Sequence, residues 1–120
     1  MSEPVVNVST VVINVNDMAR EKAFWGELLG VGVQHDVGDF FVWFEPQTPG
    51  GVAVALQLVE DAKVGPNRLH LDTAVADATA ARERIEELGG SHVEDHEMAG
   101  FRWTIMADPE GNEFCITSSH

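Results

Sequence analysis

Several things are scarce in this 120-residue chain: it has no tyrosine, one cysteine, five prolines and only seven basic residues. The single thiol, Cys115, cannot close an internal disulfide, so the fold must rest on its core, and a cytoplasmic location is expected. Seven Lys and Arg face twenty Asp and Glu, for a formal net charge of −13. Phosphate binding needs clustered cations, so no nucleic-acid partner is expected. The acidic excess is compatible with a neutral or cationic small ligand. No run approaches the roughly 20 apolar residues of a membrane span, so no membrane partner is expected. The opening "MSEPVVNV" lacks a basic stretch followed by an apolar one, so no signal peptide is expected. What is present suffices for a core: 44% of residues are hydrophobic, in a length typical of one domain.

The chain repeats itself. Sixty positions separate Asp17 from Asp77, Leu28 from Leu88 and Gly30 from Gly90. The same offset relates Phe41 to Phe101, Trp43 to Trp103, Pro49 to Pro109 and Gly51 to Gly111. Turn, cap and aromatic positions fix backbone geometry, so the repeated object is a supersecondary unit.

Each half reads the same way. "VSTVVINV" (8–15) is rich in β-branched residues and reads as a strand. Asp17 is placed as an N-cap for the helix "MAREKAFWGELLG", whose stripe carries Phe24 and Leu28 beside Trp25 and Leu29, and Gly30 as its left-handed C-cap. "VGVQHDV", "FFVWFEP" and "GVAVALQLVE" follow as strands. In the second half, "RLHLDTAV" is a strand, Asp77 a cap, and "ATAARERIEELGG" a helix with Ala81, Ile85 and Leu88 on one stripe. "SHVEDHE", "FRWTIMA" and "NEFCITS" are strands, and "DPEGN" and "PQTPGG" are turns.

The order is βαβββ, twice. The first strand of each unit must join its meander by a crossover around the helix. The expected class is α+β: one domain over residues 1–120, two βαβββ modules (about 6–62 and 68–119) joined by a linker at 63–67. Together the modules would form an open, curved, barrel-like sheet with a central cleft, the default place for a ligand.

Strand alternation selects the side chains that face this cleft. Leu69 and Leu71 should pack under the helix, turning Arg68, His70, Asp72 and Ala74 the other way. Thr10, Val12 and Asn14 take the matching face of the first strand, Ala55 and Gln57 share a face, and so do Glu113, Cys115 and Thr117. Thr10, Gln57, His70, Asp72 and Glu113 are therefore the expected polar set. Trp25, Trp43, Trp103, Phe40 and Phe101 could offer flat surface to a planar ligand; Trp43 and Trp103, at equivalent positions, are also candidates for structural roles.

The paired βαβββ modules, with "AFWGELLG", "RLHLDTAVAD" and "ADPEGNEFCI", resemble the vicinal oxygen chelate superfamily: glyoxalase I, bleomycin- and fosfomycin-resistance proteins, and extradiol dioxygenases. The resemblance spans nearly the whole chain and is nearest to small glyoxalase-like proteins. It implies a homodimer, a small-molecule ligand, and in many members a divalent ion held by His, Glu or Gln from the first and last strands of each module. His70 matches that pattern, Thr10 does not, Gln57 is a plausible donor, and Cys115 stands where the pattern has glutamate. The metal set implied is thus His70, Gln57 and Glu113, with zinc, nickel, manganese or iron as the ion, or no cofactor at all.

Three functions follow. One is a small-molecule-binding protein with a degenerate metal site, using Thr10, Gln57, Asp72, Trp43, Trp103 and Cys115. Another is a metal-dependent lyase, isomerase or dioxygenase with His70 and Glu113 as its catalytic pair; in a metal-free variant His70 is a general base oriented by Asp72, about 7 Å away at the backbone. The last is a non-catalytic dimeric scaffold. "HVEDHE" (92–97) places His92 and His96 on one strand face, about 13 Å apart and too far to share an ion. This stretch and His35–Asp36 read as solvated edge strands, and His120 is terminal.

Overall fold

The computed structural model describes residues 7–118; the expected module ends at residues 6 and 119, and His120, lie outside the described residues. Contacts divide the chain into two compact units between Glu60 and Asp61.

In the first unit the order is β1 (Thr10–Val15), α1 (Met18–Leu29), β2 (Val33–Val37), β3 (Phe41–Phe44) and β4 (Ala53–Leu58). Four strands form one mixed sheet in the order β1-β4-β3-β2. β1 lies parallel to β4, as a strand entering by a crossover must, and the remaining pairs are antiparallel. Asp17 caps α1 by accepting from Arg20 N at 3.0 Å, and Gly30 closes it at φ 69°. α1 packs on β4, burying Phe24 and Trp25 with Val15, Val42, Phe44 and Leu56. The two helix rings meet edge to face at 5.2 Å, which assigns Trp25 to the core.

The second unit repeats this with β5 (Leu71–Val75), α2 (Ala78–Glu87), β6 (Ser91–Met98), β7 (Phe101–Ala107) and β8 (Glu113–Ser118). Its sheet order is β5-β8-β7-β6, again with the crossover strand β5 parallel to β8. Asp77 caps α2 by accepting from Ala80 N at 3.1 Å. Ile85, Met106, Phe114 and Ile116 form the core, with Ala81 and Leu88 half-buried at its rim. The described strands thus give the expected βαβββ unit twice.

Three local expectations change. Leu69 is 86% exposed because β5 begins only at Leu71, so it does not pack under the helix. The repeat aligned Gly90 with the cap Gly30, but the positive φ falls on Gly89, at 105°. Gly90 is required for another reason: a Cβ there would lie 2.6 Å from both the Ala107 carbonyl and Ile85 Cγ2. Finally, a register shift between His92 and Glu94 breaks the alternation of β6. His92 therefore pairs with the buried Met106 and His96 with Trp103, three residues apart on β7, so the two imidazoles leave opposite faces of the sheet.

Candidate functional site

The turn before the last strand is built on Asp108, 2% exposed. Its carboxylate accepts from Glu110 N at 2.9 Å, Asn112 N at 2.8 Å and Asn112 Nδ2 at 2.9 Å. Gly111 completes the turn at φ 89°. "DPEGN" is therefore the structural turn that joins β7 to β8, and β8 in its own parallel pairing with β5 sets Asp72 opposite Cys115. Thr73 Oγ1 locks the same seam by donating to the Cys115 carbonyl at 2.8 Å.

Three donors meet at this seam. Cys115 Sγ lies 3.7 Å from His70 Nδ1, and His70 Nδ1 lies 4.0 Å from an Asp72 carboxylate oxygen. All three donor atoms lie within 4.8 Å of one another, the one cluster of three or more His, Cys, Asp or Glu donors so disposed among the described residues. Cys115 is buried, whereas His70 and Asp72 are exposed. Burial pushes the Cys115 thiol above its ordinary value, and the nearby Asp72 and Glu113 carboxylates push it the same way. The resting group is a thiol, not an activated thiolate.

Glu113 shares the strand face of Cys115 but is otherwise engaged. Its Oε1 accepts from Asn67 N at 3.4 Å, and its backbone carbonyl accepts from Asn67 Nδ2 at 3.2 Å. Asn67, read in the sequence only as the end of the linker, thus ties that linker to the start of β8. In the first unit, Thr10 pairs with Ala53, while Gln57 pairs with Asn14 and Phe41. Thr10 and Gln57 thus stand four residues apart in register, about 13 Å along the strands. The counterparts of His70, Asp72 and Cys115 there are Thr10, Val12 and Ala55, in the same parallel register. A divalent ion needs charge-balancing donors, and a hydroxyl, a valine and an alanine do not supply them. The donor set that fits an ion belongs to the second unit.

The rest of that sheet face is aromatic. Cys115 pairs with Ile105, and alternation carries the face along β7 to Trp103 and Phe101. Trp103 stacks on His96 with centroids 5.2 Å apart and planes at 16°, and lies 5.7 Å from the half-exposed Phe101. His96 is held by Glu94 at 2.7 Å. The first unit carries the equivalent ladder of Phe41, Trp43 and His35, with centroids 4.2 and 5.7 Å apart. The participation of His96 was hidden in the sequence, because the β6 bulge decides which histidine reaches Trp103.

Paired βαβββ units with parallel crossover strands define the vicinal oxygen chelate class of fold. Within that class the chain belongs to the glyoxalase-like domain family, whose model matches residues 10–117. Solved structures with the same fold include a glyoxalase-related enzyme from Fulvimarina pelagi, at 20% identity and TM-score 0.73, covering 94% of this chain and 88% of that one. Lactoylglutathione lyase from Agrobacterium tumefaciens matches at 15% identity and TM-score 0.71, covering 97% and 96%. An E126Q mutant of the fosfomycin resistance protein FosX from Listeria monocytogenes, complexed with Mn(II) and 1S,2S-dihydroxypropylphosphonic acid, matches at 14% identity and TM-score 0.78, covering 98% and 93%. At these identities the likeness is one of fold. None of the curated proteins matches.

Proposed function

We propose that this chain is a small-molecule-binding glyoxalase-like protein with a degenerate metal site, homodimeric and cytoplasmic, that takes a planar neutral or cationic ligand. One observation carries this reading: a single sheet face of the second unit joins polar donors at one edge to the Phe101–Trp103–His96 ladder at the other. Flat apolar rings with acidic groups beside them suit an aromatic ligand without negative charge. Asp72, Glu94 and Glu113 supply the acidic groups on this face. Thr10, Gln57 and Trp43 lie on the equivalent sheet face of the first unit and are proposed as ligand contacts there. The lone thiol fits a reducing compartment. No helix among the described residues is long and apolar enough to cross a membrane.

The test is quenching of Trp fluorescence during titration with planar cationic and neutral aromatics in the presence of a chelator. Binding that weakens about tenfold in Trp103→Leu, equivalent to ~1.4 kcal/mol, supports the reading. Affinity for no probe, or affinity indifferent to Trp103, contradicts it and leaves the metal-dependent enzyme and the dimeric scaffold.

The second reading is a metal-dependent lyase, isomerase or dioxygenase, favoured by the donors gathered around His70. A divalent ion there would polarise a substrate oxygen and stabilise enolate-like charge. His70 would hold the ion, and Glu113, released from Asn67, would serve proton transfer.

A further inference from the structure

We propose that His96 is the internal occupant of a cation position on Trp103, and that the ligand of this face is a flat cation with N–H donors in its own plane, of the amidinium or guanidinium type, that displaces it. Glu94 selects the charge. This deepens the ligand-binding reading and rests on it.

His96 lies on β6, the edge strand of its sheet, directly across from Trp103 on β7. The imidazole stacks on the indole at 16°, with centroids 5.2 Å apart. Its Nε2 lies 2.7 Å from Glu94 Oε2. An ionised carboxylate can only accept, so Nε2 carries a proton and donates it. One flat N–H ring therefore covers the indole and faces a carboxylate. A planar cation on an aromatic residue needs the same two partners: a π-face for its charge and an acceptor for its N–H.

The first unit holds the same two rings without the acid. His35 stands across from Trp43 as His96 does from Trp103. Two residues before His96 comes Glu94; two before His35 comes Val33. The first unit's nearby carboxylates, Asp36 and Asp39, are drawn to Lys22 at 3.3 and 3.7 Å. His35 lies tilted at 47° with its centroid 5.7 Å from that of Trp43. Cross-strand packing is common to both pairs. What differs is the carboxylate, and with it the imidazole lies flat. The second unit's pair is therefore arranged by charge and hydrogen bonding as well as by contact.

The occupant can leave. The His96 side chain is 37% exposed on an edge strand and that of Glu94 60%, so rotation of the imidazole into water breaks one ring contact and one hydrogen bond. Trp103 has Phe101 as its other ring neighbour, tilted at 36° and 5.7 Å away. A planar ligand on Trp103 takes the place of one of these two rings, and the place of His96 is the one that comes with a carboxylate. Alternation turns the neighbouring charges away: Glu97 pairs with Arg102 at 3.5 Å on the opposite face, where Asp95 also lies against Thr104 and His92. A neutral ring gains the indole but cannot replace the charge-assisted bond to Glu94. A flat N–H cation replaces both.

NMR titration of the full chain with benzamidinium, and with benzamide as its neutral isostere, tests this. The wild type should bind benzamidinium about tenfold more tightly than benzamide. At saturation the His96 ring protons should lose the shift that the Trp103 ring current gives them. His96→Ala should bind benzamidinium about tenfold more tightly than the wild type, because nothing is left to displace, whereas loss of a residue that merely packed against the ligand would weaken binding. Glu94→Gln should erase the preference for the cation. Benzamidinium binding that His96→Ala weakens or leaves unchanged, a preference that survives Glu94→Gln, or a His96 ring that stays on Trp103 at saturation would overturn the proposal and leave the ligand-binding reading standing. Absence of Trp103-dependent binding of both probes, in the wild type and in His96→Ala alike, would overturn the two together. The His96 signal is read in the wild-type protein, so the fold of a variant cannot obscure it.

Discussion

Asp108 and Gly90 show what a turn aspartate and a repeated glycine do once neighbours are in place. The Asp108 carboxylate spends its acceptor capacity on Glu110 N, Asn112 N and Asn112 Nδ2. Hydrogen bonds to a buried charged group contribute about 1.5–3 kcal/mol each to stability, with shared losses on deletion. Asp108→Ala should therefore lower unfolding stability by about 2–4 kcal/mol in denaturant titration. Gly90→Ala should cost about 1–3 kcal/mol, since the added methyl meets backbone and core within 2.6 Å. Gly30→Ala should cost about 1–2 kcal/mol by left-handed strain alone, with open space around its Cβ. Both glycines were visible in the repeat; the left-handed cap at Gly30 was legible there, but the reason for Gly90 was not. A sequence offset aligns positions without saying which neighbour approaches.

Elements were legible where periodicity is strong. Both helices, their aspartate caps and all eight strands follow from apolar spacing and turn residues, with boundaries moved by one to three residues. The exceptions are the register shifts in β2 and β6, which cannot be read from alternation, and the consequential one is that in β6. It sends His92 toward Met106 and His96 onto Trp103, so one histidine joins the aromatic ladder and the other does not. On the far face of that hairpin, Asp95 accepts from Thr104 Oγ1 at 2.8 Å and lies 3.2 Å from His92 Nε2. The Thr104 hydrogen bond, then the His92 imidazole beside it, holds its carboxyl below the ordinary 3.8. A lowered folded-state value adds stability that is present above pH 3.8 and lost as pH falls through the folded value. NMR titration should find the Asp95 carboxyl below 3.8 in the wild type and displaced upward in Thr104→Val.

For the whole molecule, the repeat and the family were readable because the backbone plan is written in caps, glycines and aromatics spaced sixty positions apart. The site was readable only in part. His70, Asp72 and Cys115 were each singled out, but the sequence could not show that the last two approach one nitrogen of the first, nor that Asn67 engages Glu113. Such convergence depends on the parallel β5–β8 register, which pairs residues too far apart in the sequence for local context to reveal it. Charge also acts at this scale. A net charge of −13 repels itself in the folded state, and salt screens that repulsion. The melting temperature at neutral pH should rise between about 0.01 and 0.15 M salt, over which the Debye length falls from about 30 to 8 Å.

The central claim is that one face of the second unit's sheet receives the ligand. Chemical-shift mapping of the isotopically labelled chain against a panel of planar cationic and neutral aromatics addresses it directly. The account predicts perturbations concentrated at Asp72, His96, Phe101, Trp103, Ile105 and Cys115. Perturbations confined to α2 and the opposite face around Thr104 and Ile116, or none with any probe, would contradict it.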